Sequence, residues 1–192
     1  MERQDLYDQD IFVVRQFLMP QECDRLIAQA EGLDFQTATI STVLGPLEVK
    51  DYRDNDRVIL DDPALAAKLW VRADPHVPAV LADVLHRRCE AVGFNERFRF
   101  YRYDVGQRFA PHADGHFKRE SGEESRLTWM IYLNDDFEGG QTRFYLYEDV
   151  LSVRPERGMA LAFVHEHVHE GAPVLTGRKY VLRTDVMYRI VR

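Results

Sequence analysis

Along the chain, apolar residues recur every three to four positions in the first half and every second position from residue 97 onward. "PQECDRLIAQAEGL" sets Cys23, Leu26, Ile27 and Ala30 at i, i+3, i+4 and i+7, with Pro20 near the start and Gly32 near the end, which predicts an amphipathic helix. "DDPALAAKLWVRADP" reads the same way, with Asp61 or Asp62 as cap, Pro63 in the first turn and Leu65 stacked on Leu69. "PAVLADVLHRRCEAVG" predicts a third helix closed by Gly93. Between the first two, "TATISTVLGPLEVKDYRDNDRV" is polar and turn-rich, which suits a strand pair or a mobile loop of the kind that covers sites. Further on, "RFRFYRY", "RLTWMIYLN", "QTRFYLY", "GMALAF" and "RKYVLRTDVMYRI" are short β-rich runs, and "NDDFEGGQT" is a turn between two of them. Helices first and strands second predict antiparallel sheets folded as a sandwich or barrel, a jelly roll foremost, with helices packed outside.

Composition narrows this without changing it. A chain of 192 residues, 45% hydrophobic and 30% charged, is expected to form one globular domain with a sizeable core. We expect a helical part over about 1–95 and a jelly-roll part over about 96–192. Net charge is -7 and the basic residues are scattered among acidic ones, so no cationic stripe marks a nucleic-acid partner. No apolar run approaches the ~20 residues of a membrane-spanning helix. Only Cys23 and Cys89 are present, neither in a C-x-x-C pair, and "MERQDLYDQD" has no apolar core, so a cytoplasmic location is expected.

The candidate chemistry lies in the histidines. In "FVHEHVHEGAPV", His165, Glu166 and His169 spell H-E-x-x-H, a zinc-peptidase signature that requires a helix. The apolar run before it is strand-like, and Gly171 and Pro173 follow at once, which argues against that helix. In an extended chain His165, His167 and His169 share one face, and a second contributor is needed to complete a metal site. "FAPHADGH" offers His112 and Asp114 one residue apart, on one face if the segment is a strand. Two histidines and one carboxylate can take one face of an octahedral iron and leave three positions open. The residues alone equally allow a hydrogen-bonded turn histidine, a turn-forming Asp114 beside Gly115, and a solvated histidine loop.

The order of four segments goes further. "YDVGQRFAPHADGH", "YLNDDFEGGQTRFY", "VRPERGMALAF" and "HEGAPVLTGRKYVLRTDVMY" resemble the prolyl 4-hydroxylase-like branch of the Fe(II)- and 2-oxoglutarate-dependent oxygenases. "MPQECDRLIAQAE" is similar to that family's N-terminal helix, so the resemblance covers about residues 11 to 190. It implies an α+β, mainly β fold: a double-stranded β-helix of cupin-like form, with N-terminal helices on one sheet. It implies that His112, Asp114 and His169 bind Fe(II), and that Lys179, ten residues after His169, pairs with the distal carboxylate of 2-oxoglutarate. Arg183, on the same face of that strand, is the alternative cation. Tyr103 matches a tyrosine whose hydroxyl assists the cosubstrate, and Thr128 lies where cosubstrate-lining residues occur.

The implied activity is hydroxylation of an unactivated C–H bond with release of succinate and CO2, with ascorbate as a candidate reductant. A prolyl residue of a peptide or protein is the substrate the resemblance suggests; small molecules stay open, as does the oligomeric state. Arg53 and Arg57 are candidates for an anionic small molecule or for surface ion pairs. His165 and His167 are expected in a loop at the pocket mouth, His116 at the entrance or in solvent, and Cys23 and Cys89 as buried helix-face thiols. Tyr180 and "TDVMY" stand where the family often has tryptophan. The competing classes are a non-catalytic cupin-like binding module and a zinc hydrolase that would need Glu166.

Overall fold

A computed structural model describes residues 1–42, 45–47, 49, 52–82 and 87–191. The first 82 residues carry β1 (Glu2–Tyr7), β2 (Ile11–Arg15), α1 (Pro20–Glu31), β3 (Gln36–Thr37), β4 (Ile40–Thr42), β5 (Gly45–Leu47), β6 (Asp56–Asp61), α2 (Pro63–Ala73) and β7 (Val80–Ala82). There follow β8 (Arg88–Phe94), β9 (Arg97–Tyr103), β10 (Phe109–His112), β11 (Glu124–Tyr132), β12 (Glu138–Gly139), β13 (Thr142–Tyr145) and β14 (Val150–Val153). The last strands are β15 (Ala160–Val164), β16 (His169–Gly171), β17 (Val174–Thr176) and β18 (Lys179–Ile190).

Both capped helices form as predicted. Asp62 accepts the Leu65 N–H at 2.9 Å and Pro63 opens α2; at the start of α1, Glu22 reaches back to the Met19 N–H at 3.0 Å. Helix α1 buries Cys23, Leu26 and Ala30, and α2 buries Ala66, Leu69 and Ala73.

The third predicted helix is a correction. Its described residues form β7, β8 and their pairing, with residues 83–86 outside the described set. The cause is tertiary. Strand β18 is 12 residues long, and beyond its pairing with β9 its free edge is completed by β8, with Val186 opposite Phe94 and Ile190 opposite Cys89. A hydrogen-bonded partner for that edge overrides a helical period. Cys89 is therefore a buried strand thiol, not a helical one; Cys23 is buried on α1 as expected, and the two form no disulfide. The opening "MERQDLYDQD" is the first arm of a hairpin, β1 on β2. The early half thus supplies strands to the main sheet as well as two helices.

All strand pairs are antiparallel. The large sheet runs β1-β2-β15-β11-β18-β9-β6-β3, with β8 on β18 and β7 on β8; the small one runs β10-β16-β13-β14. Two apolar clusters follow from period-two alternation. On the helix side lie Phe12, Leu26, Leu69, Phe98, Phe100, Leu127, Trp129 and Leu182. Inside the roll lie Ile11, Val13, Tyr101, Tyr103, Tyr132, Phe144, Phe163 and Val181. The predicted jelly roll is present as a double-stranded β-helix, and its interior, between the two sheets, holds the cavity described next.

Candidate metal centre

His112 ends β10 and His169 begins β16, and the two are register partners across the small sheet. Their rings lie 4.3 Å apart, centre to centre. Asp114 follows β10 rather than continuing it as the sequence suggests, and its backbone N–H donates to the His165 carbonyl at 3.0 Å. The carboxylate still reaches both histidines: His112 Nε2 is 3.7 Å from Oδ1 and His169 Nε2 is 3.8 Å from Oδ2. One ligand atom from each of the three residues falls within 4.8 Å of the others.

The tautomers are fixed from behind. A carbonyl only accepts, so His112 Nδ1 donates to Ala110 O at 2.8 Å and His169 Nδ1 to His167 O at 3.0 Å. Both Nε2 lone pairs are thereby left facing the carboxylate, the usual way in which ligand histidines are oriented. Burial pushes the His112 imidazole down to about 3 and lowers that of His169, so both rings are neutral near pH 7. Burial alone would raise Asp114, but the Arg183 guanidinium at 3.0 Å and its other polar contacts hold its carboxyl well below the usual range. Two neutral imidazoles and an ionised carboxylate on one side of a cavity form a donor set that fits a divalent cation.

A chain of hydrogen bonds stands behind Asp114. Thr128 Oγ1 donates to Asp114 Oδ2 at 2.5 Å, and His165 Nδ1 lies 3.1 Å from the same hydroxyl. His165 Nε2 is 3.0 Å from Ser125 Oγ, which accepts the Phe117 N–H at 2.8 Å. With Thr128 donating to the carboxylate, one pattern satisfies every group: Ser125 to His165, His165 to Thr128, Thr128 to Asp114. His165 lies in the turn after β15, as a loop residue was expected to, but it is fully buried and not at the pocket mouth, and burial pushes it down to about 4. It was missed because strand alternation alone does not show that Ser125 and Thr128 flank it.

The cavity beside the triad is lined by Tyr103, Phe109, Thr128, Thr142, Lys179 and Arg183 among others. Arg183 is already engaged, with Asp114, Thr128 at 3.2 Å and Asp185 at 3.1 Å. Lys179 differs. Its ammonium is 2% exposed and donates to the Gly140 carbonyl at 2.6 Å, and among the described residues no carboxylate pairs with it. Burial alone pulls it down to about 7. Tyr103, buried and raised by that burial, presents its ring 5.2 Å from Lys179 Nζ. The glycine pair of "EGGQ" makes this possible. Gly140 has φ +64, and a Cβ there would come within 3.1 Å of Lys179 Cδ and 2.9 Å of Phe137.

The other predicted residues are placed as follows. Thr128 lines the cavity as expected and in addition holds Asp114. His116 lines the outer mouth, with Nδ1 donating to Ser125 O at 2.9 Å. His167 lies 3.6 Å from Asp10 and edge-on to Tyr7. Glu166 sits in a turn after β15 with 3.5 Å to His116, so the helical H-E-x-x-H arrangement is absent. The same turn separates His165 from His169, so the three histidines do not share one strand face. Tyr180 caps Glu31 of α1 through its hydroxyl at 2.5 Å. Arg53 is buried rather than a surface ion-pair residue.

The model of the 2OG-Fe(II) oxygenase superfamily matches residues 98–184. The chain is 28% identical over 194 residues to prolyl 4-hydroxylase 1 of Arabidopsis thaliana, covering 88% of this chain and 66% of that protein. It is 29% identical over 163 residues to the prolyl 4-hydroxylase subunit alpha-1 of Mus musculus, covering 75% of this chain and 28% of that one. The chain therefore spans about two thirds of the first relative's length and little more than a quarter of the second's. Among solved structures, a Pseudomonas putida prolyl-4-hydroxylase superposes with TM-score 0.67 at 18% identity, covering 96% of each chain. A Trichoplax adhaerens prolyl hydroxylase, solved with a hypoxia inducible factor peptide fragment, gives 0.68 at 15%, covering 93% of this chain and 84% of that one. These two likenesses show a shared fold.

Proposed function

We propose that the chain is a 2OG-Fe(II) oxygenase, an Fe(II)- and 2-oxoglutarate-dependent hydroxylase of an unactivated C–H bond. The observation that carries the reading is one cavity lined both by a two-histidine, one-carboxylate cluster and by a buried lysine that no carboxylate among the described residues pairs with. A dicarboxylate with one end on a metal needs a fixed cation at its far end, and Lys179 is such a cation. A buried ammonium with no anion beside it among the described residues costs stability until a partner arrives, which points to an anionic ligand in this cavity.

His112, Asp114 and His169 would hold the metal, and the histidine Nδ1 bonds keep their rings from turning away. Lys179 would hold the distal carboxylate of 2-oxoglutarate, with Tyr103 beside it. Bound together, the metal and cosubstrate would activate dioxygen, the oxidant, one oxygen atom entering the C–H bond and the other the succinate formed as CO2 leaves. The chain's own part is positional: it fixes the cosubstrate before substrate enters, and Phe163, Tyr101 and Met130 narrow the cavity. Arg183 holds Asp114 ionised and turned towards the histidines. A prolyl residue of a peptide or protein is the substrate class we propose, on the strength of the relatives' names. A reducing compartment such as the cytoplasm belongs to the same reading, supported by two cysteines outside any disulfide.

The test is an anaerobic titration of purified protein with Fe(II) and 2-oxoglutarate, read by the weak visible absorption of the chelate. We expect it in wild type and not in His112→Ala, together with succinate release on adding prolyl peptides and air. A folded, iron-loaded wild type without that absorption would overturn the assignment.

A further inference from the structure

Outside the triad the cavity widens into a vestibule. Four guanidiniums, those of Arg53, Arg57, Arg99 and Arg183, line it with two carboxylates, Asp114 and Asp185. The carboxylates are spoken for. Asp185 meets Arg99 at 3.2 Å and Arg183 at 3.1 Å, and Asp114 meets Arg183 and faces the metal ligands. Two cations are left over. Arg57 has a bond to the Thr39 hydroxyl at 3.4 Å, and Arg53 one to Asn55 at 3.0 Å; neither pairs with a carboxylate among the described residues.

Arg53 is the more informative. It is 6% exposed, and one terminal nitrogen, NH2, is buried with no hydrogen-bond partner. Its guanidinium covers the Phe109 ring at 4.3 Å, and that ring is stacked on His112 with centres 3.5 Å apart. Arg53 is thus one aromatic ring away from a metal-binding histidine. It is also fixed there, because residues 52–54 are hydrogen-bonded to β10 and the residue before it: Ala110 N–H to Tyr52 O at 2.7 Å, and Arg108 N–H to Asp54 Oδ1 at 2.6 Å. A chain with net charge -7 has concentrated a surplus of fixed positive charge at the mouth of its site. A guanidinium that is buried, held and short of one acceptor is matched by a planar two-oxygen anion.

We propose that this vestibule is an anion-binding subsite in which Arg53 and Arg57 hold a carboxylate carried by the substrate next to the prolyl ring to be hydroxylated. The proposal deepens the oxygenase reading and rests on it for the identity of the reacting ring, not for the subsite itself. The carboxylate has two possible sources, the C-terminal α-carboxylate of a terminal proline or an acidic side chain beside an internal one.

Calorimetric titration of the Mn(II)- and 2-oxoglutarate-loaded protein under anoxia decides between them. The probes are N-acetyl-L-proline against N-acetyl-L-prolinamide, and acetyl-Pro-Asp-amide against acetyl-Pro-Asn-amide. In wild type we expect the acid of one pair to bind at least about tenfold tighter than its neutral partner. The first pair winning identifies a terminal carboxylate, the second an acidic side chain. Arg53→Gln and Arg57→Gln should each remove most of that preference while 2-oxoglutarate binds as in wild type. Arg57, only partly buried, carries the test if Arg53→Gln does not fold by circular dichroism.

Equal binding of acid and neutral probes, or a preference that survives both substitutions, overturns the proposal. So does an equal loss of 2-oxoglutarate affinity in the variants, which would assign the arginines to the cosubstrate. If 2-oxoglutarate fails to bind wild type, the oxygenase reading falls. The same probe titrations on metal-free protein then still decide the subsite, by the same two criteria.

Discussion

On β11, Leu127, Trp129 and Ile131 face the helices while Thr128, Met130 and Tyr132 face the inside of the roll. On β18, Leu182 and Val186 join the helix-side cluster, and Lys179, Arg183 and Asp185 line the cavity and its vestibule. One set of backbone hydrogen bonds therefore serves two surfaces with opposite energetics. The helix side buries apolar area and stabilises the fold. The inner side buries cations, a carboxylate and histidines, which are costly unless paired. The difference teaches where the stability resides and where it has been given up for binding.

Replacing a residue on each face should separate the two most sharply at the extremes. His112→Ala is expected to reduce metal retention and succinate release to background, yet to lower the stability of the metal-free protein much less than a core truncation does, because it deletes one neutral ring that lines the cavity. Metal analysis alongside a thermal melt checks both halves. A large loss of stability would show that the site is part of the core after all. Trp129→Ala is the mirror case. Trp129 is fully buried against Phe12, Phe17 and Phe94, with ring centres 5.1 to 6.2 Å away, and its removal should cost about 3–5 kcal/mol in denaturant unfolding. Activity per folded molecule should stay near wild type.

Much of this division was legible in the sequence. Alternation in "RLTWMIYLN" and "RKYVLRTDVMYRI" assigns faces correctly, and charged residues at period-two positions of apolar strands point to a polar interior. The triad was legible only as three residue types at suggestive spacings; that His112 and His169 are cross-strand partners depends on strand order, which local sequence does not encode. The chain Ser125, His165, Thr128 and Asp114 joins three segments and left no spacing signal. The failure at "PAVLADVLHRRCEAVG" has the same origin from the other side: a helical period lost to the demand of the β18 edge for a partner. For Arg53 the sequence left an anion contact and a surface ion pair both open, because burial of a polar segment comes from its pairing with β10.

Lys179→Met should have opposite effects on stability and on binding. In the protein without cosubstrate it removes a buried, unpaired cation, so the melting temperature should rise, while 2-oxoglutarate affinity falls by a hundredfold or more, a few kcal/mol at about 1.4 per tenfold. The pH dependence gives the sign independently. The folded-state value of Lys179, about 7, lies below its ordinary 10.5, so between these values the unfolded chain binds more protons and stability rises with pH. The penalty is complete below about pH 7 and gone above about 10.5. The wild-type minus Lys179→Met difference in unfolding free energy should therefore shrink across that window. A flat difference would mean that Lys179 already has an anionic partner.

The smallest effect should come from Thr128→Val, and it tests whether the line between the faces is as sharp as the alternation suggests. The substitution keeps the shape of a wholly buried residue and deletes one hydroxyl, the one that donates to Asp114 and accepts from Arg183 and His165. Nothing on the helix side changes. Groups behind a metal ligand typically contribute 10–100-fold in metal affinity, so Fe(II) should be held about that much more weakly in a competition titration. The loss of stability should be of the order of 1–3 kcal/mol, since the hydroxyl's partners are left without it in a buried place. If metal affinity is unchanged, Arg183 alone orients Asp114, and the chain through His165 is a packing feature of the roll with no part in the site. If affinity falls and Ser125→Ala produces a fainter version of the same loss, the relay extends through His165, and the polar interior is organised two residues deeper than the ligands themselves.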